Sequence, residues 1–390
     1  MSDLRLDIVR DDHTFAALRG EWTDLAAADP EPNIFLTWPW AHTWWQRFGQ
    51  GRPHHELHIA VVRDAVGVVG IAPLYSSRVG AGPVFTTAIQ RINHDAGDYG
   101  GMLLGRRADE AVALLVDHLG AQLHGGRAVV VLSRLASDAR FTGLLGDELV
   151  RHAATIEPLV ESIDTCLLTD VSGEFNLNKV AKKHKIRQRL RRLGEAHDPV
   201  EFVVHTGDTL EAGLDRLVTL HDRRWEEIDD PMQGLLADGE HQQFLLDAIR
   251  ALDAEGMVRL LSIEAAGTPV AVELDFVHQR RVFLFKGAFD PDFAEFSPGQ
   301  LLTHKVFEDG LAAGIEVFDF CRGDVPYKRR WTNGERHLTT ITLSRPGLAG
   351  AAARQRFRVA RALERRVRAR RARPAGSSTD AGPRASPSST

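Results

Sequence analysis

Two short stretches between residues 297 and 331 hold residue types that can do chemistry. The first is Ser297-Pro298-Gly299-Gln300-Leu301. Pro298 fixes its own backbone angle and Gly299 has no Cβ, so the chain can turn tightly just ahead of the helical pattern that follows. The first turn of a helix leaves unpaired N–H groups and a partial positive charge, which together seat a phosphate. The plainer alternative is an ordinary helix start, with Ser297 as the cap and Pro298 at the first helical position. The second stretch, FDFCRGDVPYKRRW from Phe318 to Trp331, follows an apolar strand pattern, and ligands of open α/β sheets sit at strand ends. Asp324 is the first candidate for a general base and Asp319 the second, while Tyr327 can return a proton to a leaving group. Lys328 and Arg322 can hold a phosphate or a carboxylate. Trp331 either faces substrate or fills core. The plain alternative for Asp324 is an ion pair with a neighbouring Arg. Cys321 has no His near it in sequence and reads as a small buried hydrophobe.

Two more clusters are candidates for contacts to an acceptor. Arg224 and Trp225 close the helical segment LHDRRW, and Asp98 and Tyr99 lie in the polar, Gly-rich turn HDAGDYGG. Each also has a structural explanation, as a helix end with one buried ring and as a connecting loop. None of these residues has metal-ligand spacing, so no metal is expected. Trp38, Trp40, Trp44 and Trp45 cluster ahead of the first predicted hairpin, where packing is their default role and sugar stacking the alternative.

The elements that must position these residues repeat. In the second half, Met257–Glu264 and Pro269–Val277 read as a hairpin and Arg281–Ala288 as a third strand. Gln300–Ala313 is a helix stopped by Gly314, and Ile315–Phe320 and Leu338–Leu343 are further strands. In the first half, Leu57–Arg63 and Val66–Tyr75 form a hairpin and Gly100–Leu104 a strand end. A helix over Ala108–Leu123 and a buried strand over Ala128–Leu132 follow. Hairpin, strand, helix, strand, twice over, predicts an α/β protein with a mixed sheet and a duplicated unit. The expected division is 1–175, a basic interdomain helix over 176–196, a second unit over 197–345, an Arg-rich helix over 346–373 and a disordered tail over 374–390.

At 43% hydrophobic and 26% charged residues, the composition is that of a water-soluble globular chain. No apolar run reaches the ~18–20 residues that cross a bilayer. The start, MSDLRLDIVRDDH, shows no signal-peptide pattern, and two cysteines exclude a disulfide scaffold. These features predict a cytoplasmic protein, with peripheral attachment to the inner membrane face as a further expectation. Residues 179–192 carry eight Lys/Arg and no acid; residues 345–373 carry eleven Arg and one acid. Taking their combined +18 from the net −5 leaves −23 on the remainder. An acidic body repels phosphate backbones, so general nucleic-acid binding is not expected. The two islands are the candidates for an anionic membrane surface or an acidic partner.

The run FDPDFAEFSPGQLL, the helix after it and FDFCRGDVPYKRRW resemble the BioF2-like (Acetyltransf_6) group of GNAT-superfamily proteins. That group is related to FemAB-type transferases and to proteins associated with cellulose and exopolysaccharide synthesis. FLTWPWAHTWWQRFG, VVGIAPL, KKHKIRQRLRR and LHDRRW extend the resemblance in family order over about residues 20–335. It implies tandem GNAT-like domains, with the second binding acyl-CoA (acetyl-CoA) as donor. The donor would lie between the strands Val282–Ala288 and Ile315–Phe320, beside Lys286, Gly287 and Ala288. Its pyrophosphate would sit on the turn formed by Ser297, Pro298, Gly299, Gln300 and Leu301. The implied reaction is direct transfer to an amine or hydroxyl of a small-molecule or envelope-precursor acceptor. Strand N–H groups near Gly287 would polarise the acyl carbonyl. A FemAB-like aminoacyl transferase using aminoacyl-tRNA, with 179–192 as the tRNA contact, and a non-catalytic scaffold in polysaccharide synthesis or export are the rival expectations.

Overall fold

The computed structural model describes residues 3–81, 84–226 and 239–371. The first unit begins with β1 (Arg5–Val9), α1 (Asp12–Ala17), α2 (Arg19–Ala28) and α3 (Trp38–Phe48). Strands β2 (His55–Leu57), β3 (Ile59–Arg63), β4 (Val68–Ala72), β5 (Leu74–Ala81), β6 (Val84–Arg91) and β7 (Leu103–Leu104) follow. It ends with α4 (Ala108–Leu123), β8 (Ala128–Ala136), α5 (Arg140–Arg151) and β9 (Glu157–Asp170). Helices α6 (Leu177–Val180) and α7 (Lys183–Ala196) lead to the second unit. There the order is β10 (Val200–His205), α8 (Leu210–Glu226), α9 (Gly239–Asp253), β11 (Val258–Ala265), β12 (Thr268–His278) and β13 (Arg281–Phe289). The remaining elements are α10 (Pro298–Ala312), β14 (Val317–Arg322), α11 (Pro326–Arg329), β15 (Gly334–Ser344) and α12 (Leu348–Arg371).

The duplication is visible in the strand pairing. Strands β6 and β8 are parallel with α4 between them in the chain, and β13 and β14 are parallel with α10 between them. Eleven strands form one sheet in the order β10-β11-β12-β13-β14-β9-β15-β8-β6-β5-β2, and β1-β3-β4-β7 form a second. Each unit lends its last long strand to the other. Strand β9 pairs with β14 of the second unit, and β15 pairs with β8 of the first. The two exchanged strands also pair with each other from Gly334↔Leu168 to Ser344↔Glu157, so the halves share one continuous ladder.

One expected strand was misplaced. The third strand of the first unit is Val84–Arg91, not Gly100–Leu104, of which only Leu103–Leu104 pairs, with β4. In VFTTAIQR apolar and polar residues come in pairs rather than alternating one by one, so its strand signal is weak. The expected strand Val66–Tyr75 is divided at Pro73, which has no N–H for the ladder; β4 pairs with β3 and β5 with β6.

Helix α10 buries Leu301, Leu302, Val306 and Phe307 against the sheet. At Gly310 a Cβ would stand 2.6 Å from the Phe318 ring, so only glycine lets the helix lie this close. Gly314, with φ +76°, ends it. Trp40 is fully buried and meets Phe244, Phe276 and Phe285 of the second unit edge-on. Trp44 and Trp45 are buried as well, against Tyr75 within the first unit. Each fully buried ring of this kind contributes on the order of 1.5–3 kcal/mol. Among the described residues, no helix is long and apolar enough to cross a membrane. The tail over 374–390 lies outside the described residues.

Candidate active site

Strands β13 and β14 run together for only three residues each, Arg281–Phe283 against Val317–Asp319, and then separate. The separation has a visible cause in β14. Cys321 takes a left-handed backbone (φ +56°), and the ladder with β9 is irregular between Asp319 and Arg322. The Asp319 carboxylate stabilises this bend by accepting from the Cys321 N–H at 2.8 Å and from the Tyr99 hydroxyl of the first unit at 2.8 Å. Past the bend, the Lys328 ammonium donates to the carbonyls of Phe320 (2.7 Å) and Arg322 (2.6 Å), occupying the acceptors that β13 has left.

A cavity of about 370 Å³ opens in the gap. Its walls include Lys286, Gly287 and Ala288 of β13, Glu273 of β12, and Tyr327 and Lys328 of α11. Its far end is the start of α10, formed by Ser297, Pro298, Gly299 and Gln300. Ser297 is the N-cap residue, but its backbone is left-handed (φ +51°) and its side chain makes no capping bond. The first turn contains no acid. The helix start therefore keeps its positive end available to an anion. A Cβ at Gly299 would meet nothing within 4 Å, so the approach is open. The Gln300 side-chain oxygen accepts from Arg189 of the basic helix α7 at 2.8 Å and from Arg330. Two guanidinium groups are thus gathered at the helix-start end of the cavity, and one comes from the linker.

Inside the cavity stands Glu273. It pairs in register with Gly287, and its Oε2 lies 3.7 Å from where a Cβ on Gly287 would be. Burial pushes its carboxyl up to about 7, with Lys328 and Arg259 pulling the other way. Two positions along β12, Asp275 is fully buried, and neither carboxyl oxygen has a hydrogen-bond partner among the described residues. Burial first and the Glu273 charge second push the Asp275 carboxyl well above its ordinary value. Glu273 was not among the sequence candidates. The available signal was two acids two residues apart in the apolar strand TPVAVELDFVH, which places both carboxyls on one face.

The structure sorts the sequence candidates. Lys286, Gly287, Ala288, Ser297, Pro298, Gly299, Gln300, Tyr327 and Lys328 line one cavity. Leu301 does not; it is 1% exposed and belongs to the core beneath α10. Asp324 lies outside the cavity, ion-paired with Arg329, whose hydrogen bonds hold its carboxyl below the usual range. Asp319 is completely buried at the unit boundary; burial raises its carboxyl while Arg281 and Tyr99 oppose, and it too is outside the cavity. Arg322 and Asp98 contact each other, Nε to Oδ1 at 2.6 Å, so these two tie the units together. Tyr99 does the same through Asp319. Trp331 is buried and stacks on Phe307 at 5.5 Å. The side chains of Arg224 and Trp225 lie outside the described residues. No cluster of three or more His, Cys, Asp or Glu among the described residues is arranged to hold a metal ion.

Residues 181–329 match the family model Acetyltransf_6, an acetyltransferase (GNAT) domain. The matched stretch spans most of the second unit. The tandem fold around it recurs in solved structures. FemX superposes with a TM-score of 0.59 at 13% identity, covering 83% of this chain and 95% of that one. A C-terminal (DUF2156) domain assigned to a lysylphosphatidylglycerol synthetase of Agrobacterium fabrum gives 0.53 at 12%, covering 87% and 94%. L-PGS from Bacillus licheniformis gives 0.53 at 10%, covering 90% and 96%. At these identities the likeness is one of fold. No curated protein sequence matches significantly. The cavity lies within the matched stretch, where the parallel strands part ahead of β14's bend.

Proposed function

We propose that the chain is an acyltransferase that moves an acyl group from acyl-CoA to an amine or hydroxyl of a small-molecule or envelope-precursor acceptor. One observation carries this reading. An uncapped, acid-free helix start opens onto the gap between two parting strands, and a carboxyl poised near neutrality stands inside that gap. The residues suit a pyrophosphate-bearing thioester: α10 offers its first turn, Arg189 and Arg330 add cations, and the gap admits an extended arm between β13 and β14.

When bound, the thioester supplies an acyl carbon open to direct attack. Glu273, ionised in part at neutral pH, takes the proton of the attacking acceptor. Asp275, its carboxyl pushed up by burial, sits behind it on the same face of β12. Beyond Phe283 the β13 edge has no strand partner, and its backbone polarises the acyl carbonyl near Gly287. Tyr327, on the cavity wall and 56% exposed, returns a proton to the leaving thiolate. The test is thermal shift of the full chain. Acetyl-CoA is expected to raise Tm saturably, and absence of any shift overturns the donor assignment.

A second reading has one specific observation behind it. Arg189 of the basic helix α7 reaches the mouth of the cavity, and Lys182, Lys185, Arg187 and Arg191 stand exposed nearby in sequence. That arrangement suits a longer polyanionic carrier, such as the aminoacyl-tRNA of a FemAB-like transferase, and the likeness to FemX accords with it. A shift with charged tRNA and none with acetyl-CoA would establish this reading in place of the first.

A further inference from the structure

The Arg-rich helix α12 folds back onto the first unit. Ala353 and Phe357 seat it on Val79, Ala88, Val129 and Val131 of the sheet. Arg354 fixes its start by bonding Ser344 and Glu157, and Arg356 donates to Thr86 at 3.0 Å. The spacing of Arg354, Arg358 and Arg361 places all three on one helical face. That face roofs a cavity of about 670 Å³ over β6, β8, β15 and β9. None of its lining residues belongs to the cavity between β13 and β14.

The cavity is built for a negative ligand. Four arginines line it, the three of α12 and Arg134 of β8, against two acids, Asp95 and Glu161. With His94 neutral, the described lining residues carry a formal +2. His94 is neutral because burial pushes it down to about 3. Its Nε2 is buried in the cavity wall and has no hydrogen-bond partner among the described residues. Burial first and the charge of Arg322 second push Arg134 down to about 10, while Asp98, Asp95 and Asp164 oppose the shift. Ser133, Thr340 and Thr342 add hydroxyl groups to the sheet side of the cavity.

We propose that this cavity binds a small hydroxyl-bearing phosphomonoester, its phosphate held by the arginines under α12 and its hydroxyl groups by the sheet wall. A phosphomonoester is a dianion at neutral pH, its second pKa being about 6, and so suits a lining with more arginines than acids. Guanidinium groups bind phosphate through paired N–H donors, and an orphaned imidazole nitrogen gains the partner it lacks. The volume exceeds that of a bare phosphate and lies in the range of small-molecule sites, about 300–1,000 Å³.

The test is calorimetric titration of the full chain with glycerol 3-phosphate, inorganic phosphate and glycerol at constant ionic strength. Glycerol 3-phosphate is expected to bind one saturable site, more tightly than inorganic phosphate, with no heat from glycerol. The double variant Arg358→Gln/Arg361→Gln is expected to weaken it at least tenfold. Arg358 is 62% exposed and neither arginine belongs to the core, so the double variant is expected to melt like the parent. Arg330→Gln, at the other cavity, is expected to leave this binding unchanged. No saturable binding of either phosphate overturns the proposal, as does unchanged affinity in the double variant or loss of binding in Arg330→Gln. Equal affinity for the two phosphates overturns the hydroxyl-binding half of it.

Discussion

The two units share one frame and differ in what fills it. In each, a strand leads through a helix to a parallel partner, β6–α4–β8 and β13–α10–β14. Both helices start from a left-handed residue that is not glycine, Arg107 (φ +56°) and Ser297 (φ +51°), and neither side chain caps. There the likeness stops. The first turn of α4 holds Asp109 and Glu110, whereas that of α10 holds no acid. Past its paired residues the first unit is plugged by Arg91, 2% exposed, which donates to Ser133, Asn93 and the carbonyls of Gly97 and Tyr99. The second unit is open at the same place. The loop that Arg91 organises also carries Asp98 and Tyr99 to Arg322 and Asp319 of β14. The strand frame alone therefore does not make a site. Charge at the helix start and the contents of the gap decide it, and the closed copy braces the open one.

The largest expected effect tests what the gap contains. Glu273→Gln is expected to lower kcat by about 10²-fold or more, the usual worth of a general base. Because the carboxylate is the active form and its pKa is raised to about 7, the parent rate should climb as pH rises through that value. The variant should lose that limb. Asp324→Asn, outside the cavity, should retain parent turnover; a collapse there with Glu273→Gln unaffected would reverse the assignment.

The next effect tests charge at the helix start. Gly299→Glu gives α10 the acid that α4 already has, at a position where a Cβ meets nothing. An acid there competes with the donor's phosphate for the positive end of the helix, an interaction of up to about 2 kcal/mol in a partly buried site, and should weaken acetyl-CoA binding roughly tenfold, measured by titration, with Tm little changed. Equal affinity would show that the donor does not use this turn. A smaller consequence falls on the brace. Tyr99→Phe removes the hydroxyl donor to buried Asp319 and should cost about 1–3 kcal/mol in denaturant unfolding. Its kcat should change less than that of Glu273→Gln.

The sequence made the frame legible because β11, β12, β13 and α10 carry strong apolar patterns, and the resemblance placed the cavity at Lys286–Ala288 and Ser297–Gln300. It misled on charge. Asp324, Asp319, Arg322, Asp98 and Tyr99 are polar residues near a strand end, and such residues serve equally as ion pairs and interface bonds. Only the exchange of β9 and β15, a long-range pairing with no local signature, shows that the loop at 94–101 faces β14. Glu273 escaped notice because an acid inside a strand looks like a solvent-facing residue until its neighbours are known.

The smallest effect tests whether the linker belongs to the site. Arg189 is one of two guanidinium groups on the Gln300 oxygen, and burial pushes its pKa down, with Arg330 adding to the shift. A cation held against another cation is restrained by its surroundings and gains when an anion arrives. Arg189→Gln should therefore weaken acetyl-CoA binding only a few-fold, since Arg330 and the helix start remain. The loss should shrink as salt rises, because a partly exposed charge is screened within about 10 Å at 0.1 M. Arg191→Gln, on the exposed side of the same helix, should leave acetyl-CoA binding unchanged. If charged tRNA is the donor, the order inverts. The exposed cations then bear the polyanion, and Arg191→Gln should cost as much as Arg189→Gln, with a steeper dependence on salt.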